Sequence, residues 1–420
     1  MTQTIELLPG IRFHCFPDHR FKQGAFSIQL VRPMCREEAA KNALLSAVLL
    51  RGCREYPDMR SVIRRLDDLY GASAGTMVRR VGDYQTTGFC CGFIDDRFAL
   101  EGDRVTEPML DFAAALLLDP VLEDGAFPAD YVESEKKNLI ATIEAELNDK
   151  RVYANSQMMR IMCREDSFGI PRLGEKEDVQ AITAQSLYDH YRKILRESPM
   201  ELFYVGAAQP RQVADRLKAL IGSIERNYVN LPAQTSFRDA GGRKSRCTMD
   251  VSQAQLVMGF VTPITIRDEE FVAMQLLNVI FGSGMTSKLF MNIREKQSLC
   301  YSIGSGYHGS KGILTVSAGI DSDKDAVVRK AVLEQLEACR RGEISDGELR
   351  SAKEALCSSL RATHDSPGAI EGFYSTASLS GMNLTPETYM EAVGNTTKEQ
   401  VVAAANTIKL HTVYFLRGEA

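Results

Sequence analysis

Along this chain, strand-like alternation and helix-like spacing of apolar residues follow one another twice in the same order. In the first half, Gly24-Ala-Phe-Ser-Ile-Gln-Leu-Val31 alternates large apolar with small or polar side chains, the period of a strand. The pattern then predicts helices over 41–50 and 59–69 and a strand over 86–93. In the second half, 255–260 reads as a strand and 268–281 and 287–296 as helices, with two further strands over 299–305 and 312–318. The two strand pairs end alike, Gly92-Phe-Ile-Asp95 against Gly319-Ile-Asp321. Each half also closes alike, with a helix (184–195, 398–408) before a strand (201–205, 411–416). Thr396-x-x-Glu399 has the spacing of a capping box for the second of these helices.

Such self-similarity predicts two duplicated α+β domains, each with helices packed on a mainly antiparallel sheet. The stretch 222–244 is poor in apolar residues and rich in Asn, Gly, Ser, Gln and Pro, so the boundary is expected near residue 235, giving domains 1–235 and 236–420. Tracts 323–341 and 345–361 carry apolar residues at helical intervals, among them Val328, Ala331, Val332 and Leu336. The short link Arg341-Gly-Glu-Ile344 predicts that they lie antiparallel to each other.

Composition narrows the function. The 420 residues are 44% hydrophobic and 25% charged, as in ordinary globular proteins. A net charge of −5 argues against nucleic-acid binding, and the basic run Arg243-Lys-Ser-Arg246 reads as part of a solvated connector. The N-terminal residues lack a leader pattern and no apolar run has membrane-spanning length, so a cytoplasmic protein with no membrane partner is expected. Ten scattered cysteines without a C-x-x-C pair are expected to be reduced, with Cys90 and Cys91 on opposite faces of a strand.

The candidate chemistry lies in the run Gly282-Ser-Gly-Met-Thr-Ser-Lys-Leu-Phe-Met-Asn-Ile-Arg294-Glu-Lys-Gln-Ser-Leu-Cys-Tyr301. A phosphate loop is excluded here, because no Gly-Lys-Ser/Thr follows and the preceding element is a helix. The run resembles the substrate-binding segment of the insulinase and pitrilysin metallopeptidases, family M16, which carries an Arg and a Tyr seven positions apart. A second segment, Phe168-Gly-Ile-Pro171-Arg-Leu-Gly174 through Ile182, resembles the family's Pro…Gly…Ile stretch. The resemblance implies two homologous domains of the M16/LuxS-metallohydrolase-like kind. It also implies a substrate-binding role for Arg294 and Tyr301, with Ser298 where the family often has Gly.

Zinc hydrolysis of a peptide bond needs three protein ligands, an open coordination position and a base beside the bound water. The family supplies two ligands and the base as His-x-x-Glu-His on a helix, followed by a helix-ending Gly. Aligning that Gly with Gly52 puts Ala43 and Ala47 at the His positions and Ser46 at the base position. The third ligand position falls on Thr142, with Glu144 and Glu146 close by. His14 and His19 are five apart and the other histidines are isolated, so no metal site is expected in this chain. Catalysis by Cys53 or Cys300 lacks an evident His partner nearby in sequence.

The resemblance therefore implies a subunit of the type without the zinc motif. It would pair with a zinc-bearing M16 paralogue, lend Arg294 and Tyr301 to that partner's site and hold a peptide substrate. Zinc is expected in the partner, and self-association is expected when the partner is missing. The alternative is an inactive homodimeric scaffold or peptide-binding maturation protein.

Overall fold

The computed structural model describes residues 3–146, 148–232 and 236–418. The boundary expected near residue 235 lies outside these described residues. Two sheets organise the chain. The first comprises β1 (Gln3–Leu8), β2 (Ile11–Pro17), β3 (Gln23–Pro33), β4 (Ser73–Val81), β5 (Tyr84–Ile94) and β6 (Met200–Gly206), in the order β1-β2-β6-β3-β5-β4. The second comprises β7 (Lys244–Met249), β8 (Ala254–Val261), β9 (Ser302–His308), β10 (Ile313–Ile320) and β11 (Lys409–Gly418), in the order β7-β11-β8-β10-β9.

Apart from the added β1, the two orders are the same. In each, the last strand of the sequence inserts between the first and the second. That insertion creates the single parallel pair of each sheet, β2 with β6 and β7 with β11, and every other pair is antiparallel. The duplicated α+β architecture is therefore present. The basic run is a correction: Lys244 and Arg246 belong to β7, whose pairing with β11 turns the expected connector into an edge strand.

Alternation divides the faces of the first sheet. Phe26, Ile28 and Leu30 of β3 enter the main core with Phe13, Phe89 and Leu202, against Leu44 and Leu45 of the Arg36–Leu50 helix. Ser27 and Gln29 point to the opposite face. Cys91 is buried and its neighbour Cys90 exposed, as alternation predicts, and all ten cysteines are free thiols.

The two compact units are not consecutive pieces of chain. One contains Met1–Glu144, Pro171–Ala233 and His364–Thr376; the other contains Ala145–Ile170, Gln234–Thr363 and Ala377–Ala420. Each half thus contributes one helical segment to the unit built on the other half's sheet. In the second unit, Met158 and Met162 of the Lys150–Met162 helix join a core with Val257, Tyr414 and Leu416. Gly259 makes room for them: a Cβ there would lie 2.6 Å from the Met162 sulfur and 2.8 Å from that of Met158.

Both exchanged segments are locked by buried charge. In the second unit, Lys311 Nζ lies 3.0 Å from both oxygens of Asp166, with side-chain exposures of 1% and 2%. Asp166 also accepts from the backbone N–H groups of Phe168 (2.8 Å) and Arg238 (2.9 Å). In the first unit, Glu371 accepts from Ser27 Oγ (2.9 Å), Gln29 Nε2 (2.7 Å) and Arg79 Nη1 (2.9 Å). Ser375 Oγ completes that set by donating to Gln29 Oε1 at 3.0 Å.

Two expectations shift. The helices Asp325–Arg340 and Asp346–Ala362 do not pack chiefly on each other. The first lies against the Lys398–Thr407 helix and the second against the Pro386–Asn395 helix. Val328, Ala331, Val332 and Leu336 are core residues, as their spacing requires. The capping box is one residue later than expected: Thr397 accepts from the Gln400 N–H, and Gln400 Oε1 accepts from the Thr397 N–H. The Thr396 hydroxyl instead donates to the Ala392 carbonyl at the end of the preceding helix.

Removing one member of a buried pair leaves the other charge buried without its counter-charge, which costs about 3–5 kcal/mol. Lys311→Met is therefore expected to lower the guanidinium midpoint of the second unit by a corresponding amount, read by far-ultraviolet circular dichroism. A change under about 1 kcal/mol, the worth of an exposed pair, would show that this ion pair does not hold the segment.

Candidate functional site

The Arg36–Leu50 helix carries the positions expected of a metal motif. Ala43 and Ala47 are four residues apart and share a side of the helix. Ala43 is 5% exposed, Ala47 is half-buried, and Ser46 is 1% exposed with an Oγ that has no hydrogen-bond partner among the described residues. Methyl groups at 43 and 47 offer a metal no donor atom. Gly52 ends this region for a steric reason: a Cβ there would come within 2.5 Å of the Tyr56 carbonyl oxygen.

Thr142 lies on the Ala129–Ala145 helix, exposed, its hydroxyl donating to the Asn138 carbonyl one turn earlier at 2.9 Å. Glu144, the other candidate at that position, pairs with Lys176. This helix meets the end of the Arg36–Leu50 helix through Arg51, which lies 3.3 Å from Glu135 Oε1 and stacks over the Tyr131 ring. Among the described residues, no cluster of three or more His, Cys, Asp or Glu side chains could hold a metal ion.

A polar network fixes the Arg36–Leu50 helix instead. Asn42 Nδ2 donates to Gln85 Oε1 at 2.9 Å, which leaves Asn42 Oδ1 to accept from His190 Nε2 at 2.7 Å. Gln85 Nε2 donates in turn to the carbonyls of Ala39 and Arg172. Burial holds His190 down to about 4, so the imidazole is neutral at pH 7. The sequence marked His190 only as isolated; its partner Asn42 lies 148 residues away.

Arg294 and Tyr301 lie on the second unit. Arg294 is on the Leu289–Lys296 helix, whose turns are π-helical. Its guanidinium lies over the Phe290 ring, 4.6 Å from the centroid, with Glu295 at 3.8 Å and a side-chain exposure of 41%. Such stacking on an aromatic face orients a guanidinium without consuming its donors. The chain then leaves the helix at Ser298, with φ +50°, where a Gly would be at ease. Tyr301 follows, 61% exposed, its hydroxyl donating to Asp321 Oδ1 at 2.8 Å. Lys324 binds the other oxygen of Asp321 at 2.7 Å.

Hydrogen bonds from Lys324 and then Tyr301 keep Asp321 below the usual carboxylate range, and Asp321 in turn pushes Tyr301 upward. The phenol therefore stays protonated near neutral pH and is a hydrogen-bond donor. Asp321 and Phe290 were missed as site residues. Phe290 is four residues before Arg294 and so on its face of the helix, a signal present in the sequence. Asp321 needed the β9–β10 register, which pairs Ser302 with Gly319. The two cysteines considered as nucleophiles are buried; burial raises Cys53 and pushes Cys300 up to about 11, which keeps both as thiols.

Residues 181–356 match the family model described as "Peptidase M16 inactive domain". The chain is similar to M16 peptidases, and to one that is named as inactive. It is 29% identical over 416 residues to "Probable inactive metalloprotease YmfF" of Bacillus subtilis, covering 97% of this chain and 96% of that protein. From the same organism, "Uncharacterized zinc protease YmxG" is 25% identical over 61% of this chain and 63% of its own length. A crystal structure of a conserved protein from Enterococcus faecalis V583 superimposes with a TM-score of 0.93 at 26% identity, covering 100% of this chain and 99% of that one. No helix among the described residues is long and apolar enough to cross a membrane.

Two measurements follow for this chain. Between pH 6.5 and about 4 the unfolded chain protonates His190 while the folded chain does not, so stability falls as pH drops through that window, by about 3 kcal/mol. His190→Gln is expected to flatten this part of the stability–pH curve; an unchanged slope would assign it to other groups. Ser298→Gly relieves the left-handed backbone and is expected to add about 0.5–1 kcal/mol. Ser298→Val is expected to do the reverse, both read from thermal melts.

Proposed function

We propose that this chain is the non-catalytic, substrate-holding subunit of a heterodimeric M16 zinc peptidase and supplies Arg294 and Tyr301 to the zinc site of a partner paralogue. One observation carries the reading: the positions aligned with the metal donors hold methyl groups, Ala43 buried and Ala47 half-buried, while two polar side chains suited to gripping a peptide stand exposed on the other unit. Bacillus subtilis, whose proteins include both a relative named as inactive and one named as a zinc protease, supports the coexistence of the two kinds.

The partner's zinc would polarise the scissile carbonyl and activate water. This chain's residues do the rest of the holding. Arg294, already oriented by Phe290, offers paired N–H donors to carbonyl or carboxylate oxygens of the peptide. The Tyr301 hydroxyl exchanges Asp321 for the oxygen that gains charge during attack, and Asp321 passes to Lys324 alone. Because that oxygen is fully charged only at the transition state, Tyr301 acts on the chemical step more than on binding.

The test is cleavage of a mixed fluorogenic peptide library by this chain, by a zinc-motif paralogue and by the two combined. Activity is expected only in the mixture. Arg294→Ala and Tyr301→Phe are each expected to lower the mixture's kcat/KM by about a hundredfold, with circular dichroism unchanged. Full activity with both variants would end the shared-site reading. Silence of all three samples would favour an inactive scaffold.

A further inference from the structure

An open strand edge is a template for another chain, and folded proteins ordinarily guard it with charge, proline or a cover. The two sheets end in β1, β4, β7 and β9. Three of these carry formal charge: Glu6 on β1, Arg79 and Arg80 on β4, Lys244 and Arg246 on β7. β9, Ser-Ile-Gly-Ser-Gly-Tyr-His, has no Asp, Glu, Lys, Arg or Pro in its seven residues, and no strand pairs with its outer side among the described residues.

A groove of about 640 Å³ runs along this strand. One wall is the Lys150–Met162 helix, presenting Val152, Asn155 and Met159. On the other side five consecutive residues, Ser302 to Gly306, line it, with Thr315 and Ser317 of β10 on the sheet face behind them. Side chains on one face of a strand line a cavity at every second residue; an unbroken run means that the groove reaches the backbone at the strand's edge. Gly304 and Gly306 put no side chain in the way. The groove starts at Ser302, the residue after Tyr301.

We infer that the edge of β9 takes up an extended, uncharged stretch of polypeptide with small or apolar side chains as an added strand. Seven residues at about 3.4 Å each make a bed for about six residues of peptide. Ladder hydrogen bonds hold the peptide backbone. Val152, Met159 and Ile303 favour apolar side chains, and Arg151 in the same lining disfavours basic ones. A peptide so bound leads to Tyr301. The inference deepens the peptide-holding role and rests on it for its purpose, but binding at this edge needs neither partner nor zinc.

The test uses the full chain alone and fluorescence anisotropy of a labelled hexapeptide, Ser-Val-Ala-Ile-Ser-Val. Saturable binding is expected. N-methylation of one alternate set of its amides, or lysine at its alternate positions, is expected to weaken binding by about tenfold or more. Gly304→Lys and Gly306→Lys are expected to do the same. Both variants keep the fold, since an added Cβ meets nothing closer than Gly282 O at 3.5 Å or Thr315 Oγ1 at 3.4 Å. Absence of binding, or equal binding of all N-methylated forms, overturns the inference. So does a dimer in sedimentation that both lysine variants dissolve and the peptide does not, since the edge then serves a second copy of the chain. Peptide binding without turnover in the paralogue mixture would sustain this inference while ending the shared-site reading.

Discussion

Lys311 is a cation held almost wholly away from water, and the Asp166 carboxylate beside it, with the Ser236 carbonyl at 3.3 Å, makes that position tolerable. The pair joins two parts of the sequence 145 residues apart: the turn between β9 and β10, and the chain just after the Lys150–Met162 helix. Around that tie the second unit is organised. The helix so anchored lays Met158 and Met162 into the space that Gly259 leaves open, and its outer face becomes a wall of the groove beside β9. The hairpin anchored at its other end brings Asp321 to Tyr301. Glu371 does comparable work in the first unit, where four hydrogen bonds from Ser27, Gln29 and Arg79 settle its charge within the His364–Thr376 segment.

The two units use their corresponding helices differently. In the first, the Arg36–Leu50 helix carries methyl groups at 43 and 47, and the contacts of Asn42 with Gln85 and His190 hold it in place. The neutral imidazole this requires links the stability of that unit to mild acid. In the second, the corresponding region ends in π-helical turns and a left-handed Ser298, a backbone held in a costly shape between Arg294 and Tyr301. That shape sets the direction in which Tyr301 leaves the helix and enters the sheet.

Much of this was legible beforehand, because period and punctuation are local properties. Alternation in 24–31 and 255–260, helical spacing in 323–341, and the repeat of helix before strand in both halves translated directly into elements of the structure. The interval between Arg294 and Tyr301, and the loss of donors at Ala43 and Ala47, are also plain in the linear text, since they concern which atoms are present. The capping box slipped by one residue because Thr396 and Thr397 are both competent caps; the preceding helix took the first hydroxyl through Ala392.

Other features depend on residues far apart in the chain and leave no local signature. Nothing near Asp166 announces Lys311, and nothing near Glu371 announces Ser27 and Gln29, because a buried charge is satisfied by whatever the fold brings to it. The short link Arg341-Gly-Glu-Ile344 suggested two helices side by side, yet each packs chiefly against other elements. Lys244 and Arg246 looked like connector residues until β11 supplied a strand to pair with. The sequence by itself determined the duplicated elements, the methyl groups at 43 and 47 and the interval between Arg294 and Tyr301, because these follow from local periodicity and side-chain chemistry. Only the tertiary structure decided which helix each sheet receives, which carboxylate holds Tyr301 and which strand edge lies open, because long-range pairing and burial set all three.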